Sequence, residues 1–429
     1  MIQKIRNNAF ARNSLILFTG SMVGNVLSYI FHLVVGRMVS VEMYGEIESL
    51  ISLSVIISVP ALALTMVVVK YSAGTKADDN IQGSKTIWKV MTSKVFRIGL
   101  LLFLFSVLFT PWISSFLKID SYLPVFLVLL ALFISLMASI NNGILVGWQK
   151  FFQSSFSGVI SVLVKLLVAV ILLKIGLGVN AVMTGFLMGV IMMYLTTFVA
   201  MKFLFKKGNK KLKQKSKNAK LEIDFVSMKK YIFPVLIGIL ALNVLGNVDM
   251  VLAKHHLDAV LSGQYGALTV MSKAVFFATG AIATVLFSMS SEENHKKTNS
   301  RKTFINSIIL TGIVSLGAIA FYFLFPHFVI SIFFGEKYLS IANYLGWFAI
   351  MATLYSFTNL IIQYLLSIDK TKFIGIFLFL SIIEVLAIFF FGKSIYAILW
   401  IVSGVQLTVI SIGLFLILSK DKEESIKSA

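Results

Sequence analysis

Charged side chains stranded inside long apolar stretches are where this sequence can do chemistry, and they are few. Lys165 follows Ser157 and Ser161 at i, i+4 and i+8 in the apolar run from Phe156 to Ile175, a spacing that keeps all three on one helical face. An uncompensated lysine at that depth costs at least about 2.5–3.5 kcal/mol, so it needs an internal ion pair, water or a passing anion. Lys273 stands one turn after Thr269 in a second such run, and Glu384 sits in the middle of a third. Asn243, Asn247 and Lys254 align on one face of a further run, with Asp249 to the side. Arg37 and Glu48 lie where a first apolar run gives way to a second; Arg37 either pairs with the acids Glu42, Glu46 and Glu48 or edges a wet mouth and meets a charged ligand. Glu46 and Glu48 stand about 200° apart around a helix, so at most one of them points inward.

Polar but uncharged groups follow the same pattern. Ser21, Asn25, Ser28 and His32 form a stripe along the first run, serving either as packing between helices or as the wall of a hydrated cavity. The set of cations Lys165, Lys273 and Lys254 against Asp249 and Glu384 describes a cavity of mixed, cation-leaning character. Such a cavity suits an amphiphile with an anionic head, such as a lipid-linked pyrophosphate. No Ser/His/Asp arrangement, glycine-rich phosphate loop or workable carboxylate pair is present, and the joints between runs are too short to build a catalytic domain. The chain therefore reads as a non-enzyme. With no cysteine it has no disulfide, thiolate metal site or cysteine nucleophile, and no metal site is expected.

The elements that hold these residues are membrane helices. Hydrophobic residues make up 58% of the 429 and charged residues 13%, with a mean hydropathy of +0.93, well outside the soluble range. Runs of roughly 20 apolar residues, the length of a bilayer core, recur without the alternation of a barrel wall. The reading is an all-α polytopic membrane protein with twelve transmembrane helices. Six lie in an N-terminal bundle (1–205) and six in a C-terminal bundle (231–420), with a basic linker (206–230) between them and a short tail (421–429). Lysines and arginines crowd the joints that face one side, whereas the other side carries only Arg37, Lys118, Lys174, Lys254, Lys337 and Lys393. By the positive-inside rule both termini face the cytoplasm. The same bias explains the net charge of +20, so no nucleic-acid partner is expected; the lysine-rich linker is expected to rest near anionic lipid.

Pro60, inside the second run, predicts a bend. The segment Lys70–Lys94, with Trp88 among its lysines, predicts a surface helix on the inner leaflet. The halves also repeat weakly: Ser139 and Asn142 match Ser356 and Asn359, Arg37 matches Lys254 at the same offset, and Tyr44-Gly45 returns as Tyr265-Gly266. Halves of six helices run in the same sense, related by a pseudo-twofold along the membrane normal.

Several segments resemble a known family. GRMVSVEMYG from Gly36, VPALAL from Val59, the N-x-x-x-N-x-D run from Asn243 to Asp249 and SGQYG from Ser262 are similar to the Wzx-type polysaccharide and oligosaccharide flippases of the multidrug/oligosaccharidyl-lipid/polysaccharide (MOP, MATE-like) exporter superfamily. The resemblance spans essentially the whole chain. It implies transfer of an undecaprenyl-pyrophosphate-linked oligosaccharide from the inner to the outer leaflet of the cell membrane, for surface polysaccharide biosynthesis. It also implies coupling to a proton or sodium ion, and partnership with glycan assembly proteins. The resemblance carries substrate contact onto Lys165, Lys273 and Arg37 and ion coupling onto Asp249; from the polar faces and buried charges, Lys254, Asn25, His32, Asn243 and Asn247 join the expected substrate contacts, and Glu48 and Glu384 the expected ion-coupling acids. The alternatives are a cation-coupled multidrug exporter of the same superfamily, or a membrane scaffold for glycan assembly enzymes that itself moves nothing.

Overall fold

A computed structural model describes residues 9–205, 236–296, 298–368 and 373–428; the linker 206–230 lies outside the described residues, as do the side chains of the tail. Among the described residues the chain is all-helical with no strand. In the first half the helices are α1 (Ala9–Met38), α2 (Val41–Ile57), α3 (Val59–Ala77), α4 (Ile81–Leu108), α5 (Thr110–Phe116), α6 (Leu123–Gly147), α7 (Phe151–Lys174) and α8 (Gly178–Ala200). The second half has α9 (Leu236–Leu245), α10 (Val248–His256), α11 (Ala259–His295), α12 (Arg301–Leu324), α13 (Pro326–Phe333), α14 (Ala342–Ser367), α15 (Ile374–Phe391) and α16 (Ile395–Ser428).

Among the described residues ten helices are long and apolar enough to cross a membrane, with α2 and α3 counted as one; α9 and α10, bent by 41°, together make one further span, the seventh in chain order, and α15 is a shorter apolar helix in the eleventh position. Helix ends follow local chemistry. Pro111 and Pro124 sit in the first turns of α5 and α6, where a missing N–H costs nothing. Gly176, at φ +88°, closes α7 in a left-handed turn that glycine adopts without strain. The expected surface helix over Lys70–Lys94 is not a separate element: α3 runs to Ala77, and Asn80, accepting from the Gly83 N–H at 2.8 Å, starts α4. Trp88 is tied inward instead, its indole donating to Asn141 Oδ1 at 2.9 Å.

Apolar side chains cover the outside, as a lipid-facing surface requires. Leu108, Leu101, Leu316, Leu324, Phe391 and Phe415 all stand largely exposed. The interior is packed through small residues: Gly185 and Gly189 bring α8 onto α7, where Ser161 donates to the Gly189 carbonyl at 2.8 Å. Gly143 and Gly147 likewise bring α6 onto Val68 and Ser72 of α3. Both are small-xxx-small pairs, the spacing that lets membrane helices approach closely.

The helices group into two compact units, each with its own pairings. In the first, α1 packs on α7, α3 on α6, α4 on α6, α6 on α8, and α7 on α8. In the second, α10 packs on α15, α11 on α14, α12 on α14, α14 on α16, and α15 on α16. Numbered as spans these are the same pairings six helices apart, which is the two-bundle repeat expected from the sequence. The division differs from a simple cut at the linker in one respect: Ser40–Ile56, nearly all of α2, belongs with the second unit. Two features account for it. The helical run is interrupted at Ser58, ahead of Pro60, and Gly45 lies so close to Gly263 that an added Cβ would stand 2.8 Å from its backbone nitrogen. Tyr44 then packs edge-on against Phe334 and Tyr338.

Candidate functional site

The second unit carries a break in a membrane helix, and the break creates the site. α9 ends at Leu245, Gly246 and Asn247 form a turn, and α10 begins at Val248. A break leaves carbonyls without their helical partners, and in a bilayer these must be satisfied from elsewhere in the protein. Tyr355 of α14 donates to the Leu242 carbonyl at 3.0 Å, Gln406 of α16 to Leu245 at 3.1 Å, and the Asn247 amide to Asn243 at 3.0 Å. Gly246 is required because a Cβ there would fall 2.4 Å from the Tyr355 ring.

Asp249, in the first turn of α10, is 3% exposed and accepts from the Tyr265 hydroxyl through Oδ2 at 2.8 Å. Its Oδ1 has no hydrogen-bond partner among the described residues. Glu384 of α15 and Gln406 are completely buried, and both Glu384 oxygens and Gln406 Oε1 also lack a donor there. Asp249 lies close enough to Glu384 for their charges to interact. Four orphaned oxygens on three buried side chains form an unusual set, since such groups are nearly always satisfied. Their chemistry, carboxylate and amide oxygen without thiolate or imidazole, fits a proton or a hard monovalent cation. No group of three or more His, Asp or Glu side chains that could hold a metal ion is assembled among the described residues.

Beside Asp249 lies a cavity of about 30 Å³, lined among others by Gly246, Asp249, Thr269, Ser272, Lys273 and Tyr355. It has room for about two waters or one partly hydrated ion and none for a sugar. Lys273, half-buried, donates to Asn247 Oδ1 at 3.1 Å.

The first unit presents the opposite charge. Lys165 of α7 is half-buried, with its ammonium 4.0 Å from the centre of the Phe31 ring of α1, a cation–π contact. His32 packs edge-on against the same ring at 5.3 Å. Asn25 and Arg37 are exposed on α1.

The remaining expected residues are distributed as follows. Asn243 and Asn247 spend their amide N–H groups on the carbonyls of Ile239 and Asn243. Lys254 is 2% exposed, within the field of Glu42. Glu48 is 1% exposed, its Cβ about 3.2 Å from where a Cβ on Gly266 would stand, while Glu46 is half-buried. His255 stacks on Phe389, with ring centres 6.0 Å apart. Tyr265 and Tyr355, absent from the sequence-derived set, hold the site together. The signal for them was Gly246-Asn247 inside an apolar run, which announces a break and a need for outside hydrogen bonds.

A family model described as "Polysaccharide biosynthesis protein" matches residues 34–343. A comparison with curated proteins gives no match. Among solved structures, an inward-facing multidrug resistance MATE family transporter of the MOP superfamily is similar at TM-score 0.74 and 12% identity, over 95% of this chain and 99% of that one. The lipid II flippase MurJ, in an inward closed conformation, is similar at TM-score 0.72 and 16% identity, over 94% and 87%. A MATE protein in complex with MaL6 follows at TM-score 0.60 and 13% identity, over 98% and 99%.

Proposed function

The chain belongs to the polysaccharide biosynthesis protein family, and from that premise we propose that it is a flippase rather than an enzyme, coupled to a small monovalent cation. Its substrate is an oligosaccharide on an undecaprenyl-pyrophosphate carrier, moved from the inner to the outer leaflet of the cell membrane by alternating access. The observation that carries the coupling is the buried Asp249–Glu384–Gln406 oxygen set beside a broken membrane helix. Such a set is costly to maintain without a counter-charge, and discontinuous helices are where many transporters hold their ions.

Asp249 and Glu384 hold the cation, with Tyr265 fixing one Asp249 oxygen so that the other faces the ligand. Lys165 meets the pyrophosphate, because a half-buried ammonium on an aromatic ring keeps charge available to a passing anion. The polyprenyl tail stays in lipid. Both termini face the cytoplasm, following the positive-inside bias of the sequence.

The test is reconstitution of the purified chain into liposomes with an undecaprenyl-pyrophosphate oligosaccharide, under an imposed sodium or proton gradient. Sugar arriving on the far leaflet is read by its accessibility to an added glycosidase. Gradient-dependent arrival that Asp249→Asn abolishes is the expected result. Sugar arriving equally with and without a gradient would end the coupling; extrusion of cationic drugs with no sugar movement would favour the multidrug alternative.

A further inference from the structure

Lys273 is more than a substrate contact in waiting, because of the company it keeps. It lines the same 30 Å³ cavity as Asp249. Its ammonium rests on Asn247 Oδ1 at 3.1 Å, while Asp249 Oδ1, two residues further along the chain, has no donor among the described residues. Tyr265, Thr269 and Lys273 follow one another at i, i+4 and i+8 on α11. One helical face therefore delivers a hydroxyl to Asp249, a second hydroxyl to the cavity wall and an ammonium to its far end.

The charges at and behind the cavity are unequal. α10 contributes Asp249, α11 Lys273 and α14 Tyr355 to its wall; Glu384 of α15 lies within charge range of Asp249, and Gln406 of α16 donates to the carbonyl of Leu245, a lining residue. Lys254, further along α10, lies in the field of Glu42. Two carboxylates against one ammonium leave the group one positive charge short, and lysine's flexible four-carbon stem lets its point charge change partners.

We propose that Lys273 is a built-in rival of the coupling cation: its ammonium rests on Asn247 while a monovalent cation is held by Asp249 and Glu384, and moves onto Asp249 when that cation leaves. This rests on the coupling site proposed above and adds to it a stoichiometry and a reset. One monovalent cation suffices per cycle, and the carboxylate pair is never left with both charges uncompensated. Asn247, at the break between α9 and α10, is the perch that sets how strongly Lys273 competes.

Removing a competitor tightens binding, and removing its perch weakens binding, so two variants should move in opposite directions. The readout is the thermal stability of the purified protein in detergent, which rises with any ligand that binds only the folded state. One arm titrates sodium chloride against choline chloride at fixed pH and constant ionic strength; the other titrates acid in choline chloride alone. In whichever arm the wild type responds, Lys273→Met should bind its cation about tenfold more tightly, within the roughly 5–150-fold range usual for coupled sites. Asn247→Leu should bind it more weakly. Asp249→Asn should lose the response, which separates the two readings. A silent wild type in both arms removes the coupling site and this inference with it. If Asp249→Asn abolishes a response that Lys273→Met leaves unchanged or weakens, the rivalry alone is overturned. Should Asn247→Leu fail to fold, the Lys273→Met shift decides by itself.

Discussion

The two units build the same helix pairings and put opposite charges into them. In the first, the pairing of first and fifth spans sets Lys165 over Phe31, half-buried. In the second, the pairing of seventh and eleventh spans sets Glu384 near Asp249, both sealed from water. An ammonium on an aromatic face is partly compensated by the ring quadrupole and can still greet an anion. Buried carboxylates with orphaned oxygens are compensated less, Asp249 by one tyrosine hydroxyl, and on the proposed reading they take a cation small enough for the 30 Å³ space beside Asp249. On the function proposed above, a duplicated scaffold carries two different tasks, headgroup contact in one half and ion holding in the other.

The harshest way to break that contrast is to neutralise the second unit. Asp249→Asn and Glu384→Gln keep the shape and remove the charge, and either should cut gradient-driven transport by about 5–150-fold, the range of a lost coupling term. Transport measured without a gradient should change far less. If both variants flip sugar at the wild-type rate under a gradient, the carboxylates are structural and the halves do not differ in task.

The next effect in size concerns stability and the break between α9 and α10. A side chain at Gly246 collides with the Tyr355 ring, and Tyr355 satisfies the Leu242 carbonyl. Gly246→Val should therefore cost about 1–3 kcal/mol through overpacking, seen as a lowered melting temperature. A parallel probe uses α2. A Cβ on Gly263 would stand 1.8 Å from the Val41 carbonyl oxygen, a backbone atom, so Gly263→Val must push α2 away from α11. The chain has no cysteine, so a lone Tyr44→Cys is a clean reporter. Its thiol, at a side chain buried in the wild type, should label slowly alone and quickly in the Gly263→Val background.

These same residues mark what could and could not be read from the sequence. Twelve apolar runs, most of them long enough to span, made the fold legible, because bilayer thickness dictates run length. Pro60 likewise lies just after the interruption of the helical run at Ser58. Lys165, Asp249 and Glu384 were visible too, since a charge in oil has no neutral explanation. The transfer of α2 to the second unit was not, because it depends on two glycines more than 200 positions apart meeting backbone to backbone. Nor was the role of Tyr265 and Tyr355: a tyrosine in a membrane helix reads as packing until a partner for its hydroxyl is known. Asn243 and Lys254 taught the converse. Their polarity suggested a ligand; in the structure the Asn243 amide donates to the Ile239 carbonyl and Lys254 is buried within the field of Glu42.

Lys165 sharpens the comparison from the other half. Lys165→Gln removes the charge that the proposal gives to the headgroup, and a contact worth about 1–2 kcal/mol corresponds to roughly a tenfold rise in the substrate concentration needed for half-maximal flipping. Lys165→Arg keeps the cation and its stacking on Phe31 and should recover most of the activity. The cation response in thermal shift should be untouched in both. A change in that response would mean the two tasks are not divided between the halves.

The smallest effects are expected at Arg37 and Asn25, and their smallness is informative. Both were drawn from the same reasoning that selected Lys165, yet both stand exposed on α1 rather than half-buried against a ring. An exposed charge screened by solvent contributes about 0–1 kcal/mol, so Arg37→Gln and Asn25→Ala should alter half-maximal substrate concentration by no more than a few fold. Measured beside Lys165→Gln in the same liposomes, they grade headgroup contact by burial. If Arg37→Gln costs as much as Lys165→Gln, the anion is met at the mouth of the first unit and not over the Phe31 ring, and the assignment of charge to depth must be redrawn there.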